Sequence, residues 1–301
     1  MLNDYFIVDG AQAPDVLGAL QALHWQYASL FDGTPEKRLV EIAPLVFPVP
    51  DGEDERYKPL LKRINTIAHE EPAVHAISSP EDLEGVARHL RQFHVAKLPD
   101  DQKMILRWYD TRVFEPLLEC LSQEQLASFF GPVRRWMYWD RFGTARSAEI
   151  LSDEVASELE PPFELNPAQY SHLIDASVPY AVLRTLRETI PDELSRVNSS
   201  RLTRFLIDHL AVARKIGVEG HPAQVQFMLL ALYTSGAFLN EPELVQWRTQ
   251  PSVRVMSFLD WSDLLPDRVW QAGSPLWGEI QPLAPAIDDE HLFGGLDEYR
   301  N

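Results

Sequence analysis

The chain has 301 residues, room for two cores of ordinary size, and its 45% hydrophobic and 24% charged content is that of a folded globular protein. Its 45 acids outweigh 27 bases, and the formal charge of −18 repels phosphate backbones and anionic lipid. The densest basic clusters, Lys58, Lys62, Arg63 and Arg134, Arg135, are short and flanked by acids, so neither nucleic-acid binding nor membrane insertion is expected.

No apolar run approaches the roughly 20 residues that span a bilayer. The opening MLNDYFIVDG has no basic stretch before an apolar one, as a secretory signal would. Cys120 stands alone, which excludes an intrachain disulfide and the cysteine-based zinc spacings. The expected location is the cytoplasm.

In chain order, residues 5–9 (YFIVD) are compact, aromatic and β-branched, and predict a buried strand. Pro14 opens a helix with Val16, Leu17, Leu20 and Leu23 at helical spacing. Residues 25–31 and 42–49 predict two more strands, the second at an edge or irregular because of Pro44 and Pro48. Residues 56–70 predict a helix with Leu60, Leu61, Ile64 and Ile67 on one face, and 74–78 a short strand. Ser79 is expected to cap the next helix, with Pro80 at its first position and Asp82 completing a variant capping box. A strand over 104–109, a helical stretch over 114–130 with a break near Ser122, and a strand over 133–139 close the series. Strands alternating with helices predict an α/β domain with flanking helices on a largely parallel or mixed sheet.

Residues 143–164 carry six acids against one base and end in Pro161 and Pro162, the composition of a linker. Beyond them strand signals nearly vanish. Asn166 is placed to cap a helix opened by Pro167, and Pro179 is expected to kink or split it. Further helices are predicted around Leu202–Val212, over 222–238 (apolar on most faces, hence central), over 242–248 and over 261–270. The expected organisation is an α/β domain over 1–142, an acidic linker over 143–164, an all-α lobe over 165–273 and an irregular acidic tail over 274–301.

Chemistry finds little purchase. His89 and His94 are five apart, whereas ligand pairs on a helix want three or four; His69 and His75 have nothing to close a site, so no metal is expected and surface histidines are the default. Nucleophile elbows, phosphate loops and dinucleotide fingerprints are missing from the sequence, and neither a catalytic residue nor a cofactor is assigned. Cys120, in LLECL, reads as a buried, inert thiol. The most unusual segment is RWYDTR: Arg107, Trp108, Tyr109, Asp110 and Arg112 fall at the end of a predicted strand, where α/β sheets place ligand sites. Asp110 is able to accept bidentate hydrogen bonds from Arg107 or Arg112, as a structural staple or as part of a partner-binding surface.

Several ordered segments resemble the effector chaperones (adaptors) of type VI secretion, domain-of-unknown-function family 4123. They are YFIVDG, ASLFDGT followed by IAPLVFPV, HLRQFHVAKL followed by ILRWYDTRVF, and FFGPVRRW, covering about residues 1–141. Trp108 and Thr111 depart from the family pattern, as does Leu45 where an aromatic is common. The resemblance implies a non-enzymatic cytoplasmic adaptor that binds a secreted effector and helps load it onto a VgrG or PAAR spike protein. It points to the 107–112 segment as partner-binding. The competing expectations are an immunity protein that covers a basic toxin, whose one small partner would exclude spike contact, and an enzyme with an unrecognised site.

Overall fold

The computed structural model describes residues 2–150, 163–249 and 256–278, and these divide into two compact units with the boundary between Ser177 and Val178. In the first unit the order is β1 (Asn3–Val8), α1 (Asp15–Ala22), β2 (Ala28–Ser29), β3 (Leu45–Pro48), α2 (Lys58–Glu70), β4 (Val74–Ser79), α3 (Leu83–Arg91), β5 (Val95–Lys97) and β6 (Lys103–Ile105). There follow α4 (Thr111–Cys120), α5 (Gln123–Phe130), β7 (Arg135–Trp139), β8 (Ala145–Ser147), β9 (Phe163–Glu164) and the long α6 (Pro167–Thr189), within which the unit boundary falls.

Six strands form one sheet in the order β2-β3-β1-β4-β7-β8, and every pairing in it is antiparallel. A small second sheet, β6-β5-β9, is mixed, with β5 and β9 parallel. The α/β character is as expected; the direction of the main sheet is not. Its central strands β1, β3 and β4 are covered on both faces. Tyr5 and Ile7 point into a core with Ile77, Val86, Leu90, Trp108 and Trp136, while Phe6 and Val8 point into another with Leu45, Phe47, Leu60, Ile64 and Ile67. Two-sided burial writes a continuous apolar run, the pattern usually left by buried parallel strands.

Local signals mostly held. α2 begins with Pro59 in its first turn, buries Leu60, Leu61, Ile64 and Ile67, and ends just before Pro72. Ser122 and Gln125 form the reciprocal capping box that separates α4 from α5. The cap of α3 is Asp82, whose carboxylate takes the Gly85 N–H at 2.8 Å, and not Ser79. Ser79 is still in β4, and its hydroxyl bonds Pro132 O and Glu81 N instead. The predicted strand over 25–31 shrinks to two residues, because Trp25 bonds Pro48 O through its indole and the Ser29 hydroxyl takes the Phe31 N–H. β3 lies inside the sheet rather than at its edge; Pro48 is tolerated because β2 pairs only with Leu45 and Val46.

The expected linker over 143–164 contributes β8 and β9 to the two sheets, and its residues 151–162 lie outside the described ones. α6 is capped by Asn166 and Gln169 in a second reciprocal box and runs unsplit through Pro179. Leu173 packs on the core of the first unit, and Val182, Leu183 and Leu186 belong to that of the second.

The second unit continues with α7 (Pro191–Leu194), α8 (Ser199–Lys215), α9 (His221–Thr234), α10 (Pro242–Thr249), α11 (Phe258–Ser262) and α12 (Asp267–Trp270), with 3-10 turns at Ala237–Asn240 and Leu276–Gly278. No strand occurs among its described residues. α9 is its centre: Phe227, Met228, Leu230, Ala231 and Leu232 are fully enclosed. The single helix predicted over 261–270 is two, since Pro266 starts α12 and cannot continue α11. Of the predicted acidic tail, residues 279–301 lie outside the described ones.

Candidate partner-binding site

β6 ends at Ile105, so residues 107–110 form a turn rather than the end of a strand, and Asp110 caps α4 by accepting the Arg112 N–H at 3.0 Å. The same carboxylate receives Arg112 bidentately, Nε to Oδ1 at 2.9 Å and Nη2 to Oδ2 at 2.6 Å. Arg107 goes elsewhere. Its Nη2 donates to Asp9 Oδ2 at 2.8 Å and stands 4.0 Å from Asp110 Oδ2. Asp9 is wholly enclosed and also accepts from Ala11 N at 3.0 Å and Gln12 Nε2 at 2.9 Å. Gln12 Nε2 and Thr111 N both donate to Pro72 O, which ties the two turns together. Two buried carboxylates thus alternate with two arginines, whose side chains keep 42% (Arg107) and 31% (Arg112) of their surface exposed. Leaving the cations partly hydrated lowers the desolvation cost of the pairs.

The five residues singled out from sequence divide by depth. Trp108 and Tyr109 are core residues and Asp110 is buried, so only Arg107 and Arg112 of the set present appreciable surface. The Arg107 guanidinium lies 5.8 Å from the centroid of the Tyr109 ring. Burial pushes the Tyr109 phenol far above its ordinary value, so it stays protonated at any physiological pH.

Beneath the turn lies His75, which sequence reasoning left at the surface. It is wholly buried, with Nε2 3.0 Å from Tyr109 O and Nδ1 accepting the Trp136 indole N–H at 3.1 Å. An acceptor on one side and a donor on the other define the tautomer: the proton is on Nε2. Desolvation lowers its pKa to about 4, keeping the ring neutral. His94, also assigned to the surface, is enclosed and contacts Glu36 at 3.2 Å. The Cys120 thiol is half-buried, and burial raises its pKa to about 11, in keeping with an inert thiol. Among the described residues no group of three or more His, Cys, Asp or Glu is arranged to hold a metal, and no helix is long and apolar enough to cross a membrane.

The segments dispersed along the first 141 residues meet here. Gly10, following Asp9, has the Ala43 carbonyl where a Cβ would stand, at 2.3 Å, so only glycine allows the first strand's end to close on the 42–43 segment. Phe31 approaches Tyr109 and His94, with centroids 6.5 and 5.0 Å apart. Phe129 lies 5.5 Å from Trp108 and stacks on Trp136 at 5.3 Å. Asp9, Gln12 and His75 are the members of the site that sequence reasoning missed. The one legible sign for Asp9 was an acid placed flush against a buried strand.

A family model described as Domain of unknown function (DUF4123) matches residues 5–128. That span runs from β1 into α5 and includes Asp9, His75 and the 107–112 turn. No curated protein and no solved structure matches the chain.

Proposed function

Because residues 5–128 belong to the DUF4123 family, known as adaptors for type VI secretion effectors and generally non-catalytic, we propose that this chain binds a secreted effector in the cytoplasm and helps deliver it to a VgrG or PAAR spike protein. The observation that carries this reading is the family match. The position of Arg107 and Arg112 supports it: arginine favours the centres of protein interfaces, and here both are held by buried carboxylates in one geometry, so little side-chain entropy remains to be lost on binding. In this reading Trp108, Tyr109 and Asp110 fix the turn from below, and the two guanidinium groups meet the effector.

Cross-linking of the tagged chain in its native host, followed by mass spectrometry, should recover an effector together with a spike protein. A single small toxin with no spike contact would identify an immunity protein instead. With the recovered effector, Arg112→Ala should weaken binding by about 1–3 kcal/mol in calorimetric titration. A thermal melt of the same variant separates anchor from staple: unchanged affinity in a folded variant of lowered melting temperature would remove Arg112 from the interface.

A further inference from the structure

A concave surface that includes none of residues 107–112 lies where the first residues of β1, the segment after β3 and the start of α3 come together. It is a half-open cleft of about 960 Å³, within the size range of ligand pockets. Its apolar lining includes Leu2, Val49, Leu61 and Leu83, of which Leu2 is 40% exposed at the mouth. Its charged lining is of one sign: Asp4, Asp51, Glu53 and Asp82, with no lysine, arginine or histidine among the lining residues. The nearest bases in sequence are engaged elsewhere, Arg56 with Asp54 and Lys58 with Glu55. Among the described residues none of the four cleft acids is in an ion pair.

Four like charges around one cleft repel each other, and the apolar lining between them excludes part of the water that would screen them. The Tyr5 phenol at the base of the cleft registers this field. Its pKa is raised by burial and then by the charges of Asp82, Asp4 and Glu81, while its hydroxyl donates to Glu81 O at 2.8 Å.

From the cleft's shape and one-signed charge we propose that it docks a basic segment of a partner protein in which arginine or lysine side chains alternate with aliphatic ones. The cationic heads meet Asp4, Asp51, Glu53 and Asp82, and the aliphatic side chains and arginine stems cover Leu2, Val49, Leu61 and Leu83. This surface is distinct from the Arg107–Arg112 pair in both place and charge, and it does not depend on the adaptor reading.

The test is a fluorescence-anisotropy titration of the full chain with a labelled peptide of alternating leucine and arginine. Saturable one-site binding is expected, weakening as salt is raised. The variant Asp51→Asn/Glu53→Gln/Asp82→Asn should lower affinity at least tenfold; asparagine at 82 preserves the α3 cap. A control neutralising three exposed acids of the second unit, Glu188→Gln/Asp208→Asn/Glu219→Gln, should stay within twofold of the parent. Leu2→Trp, at an exposed position where the fold is not at risk, should also lower affinity by obstructing the mouth. Equal weakening by the two triple variants would reduce the effect to general charge attraction and overturn the proposal. So would equal affinity for an alternating serine–arginine peptide, or no effect of Leu2→Trp.

Discussion

Asp110 concentrates three tasks in one buried carboxylate: it caps α4, receives Arg112 bidentately and lies within 4.0 Å of Arg107. Asp110→Ala removes the cap and the charge-assisted pair together, and should lower stability by about 2–3 kcal/mol in urea denaturation. Asp110→Asn keeps the cap and should lose roughly half of that. His75 supplies a pH dependence of known sign. The unfolded chain protonates this imidazole near its ordinary value of 6.5, whereas the folded one resists down to about 4. Between those values the unfolded state binds more protons, so stability that is complete above 6.5 is lost as the pH falls toward 4, by up to about 3 kcal/mol. Burial lowers the pKa values of His89 and His209 as well, and they act in the same direction. Urea midpoints at pH 7 and pH 5 measure the loss, and an NMR titration of the His75 ring should show it still neutral at pH 5. Neither Asp9 nor His75 was legible as part of a site, because the partners that give them their roles are distant in sequence: Arg107 lies 98 residues from Asp9, and Trp136 61 from His75.

Among the elements, the Asn166 cap, the break near Ser122 and the apolar stripe of α2 lie where the local signals put them, whereas the α3 cap falls on Asp82 rather than Ser79. The Ser122 and Asn166 boxes each involve residues three apart, and the α2 stripe repeats every three or four residues. Pro179 behaved differently from expectation, since α6 continues through it. A proline inside a helix forfeits one backbone hydrogen bond and crowds the preceding turn, at about 3 kcal/mol relative to alanine, yet buried contacts on either side are able to hold the helix together. Leu173 on one side and Val182, Leu183 and Leu186 on the other make such contacts. Pro179→Ala should therefore raise the melting temperature, by an amount equivalent to roughly 1–3 kcal/mol; a fall would mean that the ring contributes more by packing than it forfeits. The short β2 and β6 mark the opposite limit. Their sequences look like longer strands, but indole, hydroxyl and turn hydrogen bonds satisfy the flanking backbone better than a ladder.

At the scale of the whole molecule, we propose that limited proteolysis cleaves first within 143–164, on its acidic, proline-terminated composition. The first compact unit nevertheless reaches Ser177. Truncation at residue 142 would remove β8, β9 and the buried Leu165, whereas a fragment of residues 1–177 keeps them. The longer fragment should unfold in one cooperative transition by circular dichroism, and the shorter one at a clearly lower temperature. The amino-acid sequence by itself determined the positions of most helices and the blocks that resemble the DUF4123 domain, because each rests on spacing within a turn or two or on residue order. Only the tertiary structure decided the antiparallel direction of the main sheet, since a strand buried on both faces looks the same whichever way its neighbours run. It alone decided that Trp108, Tyr109 and Asp110 lie inside and that the Arg107 and Arg112 side chains reach the surface. Their depth is set by helices and strands packed from distant parts of the chain, and ion pairs across such distances leave no periodic trace in the sequence.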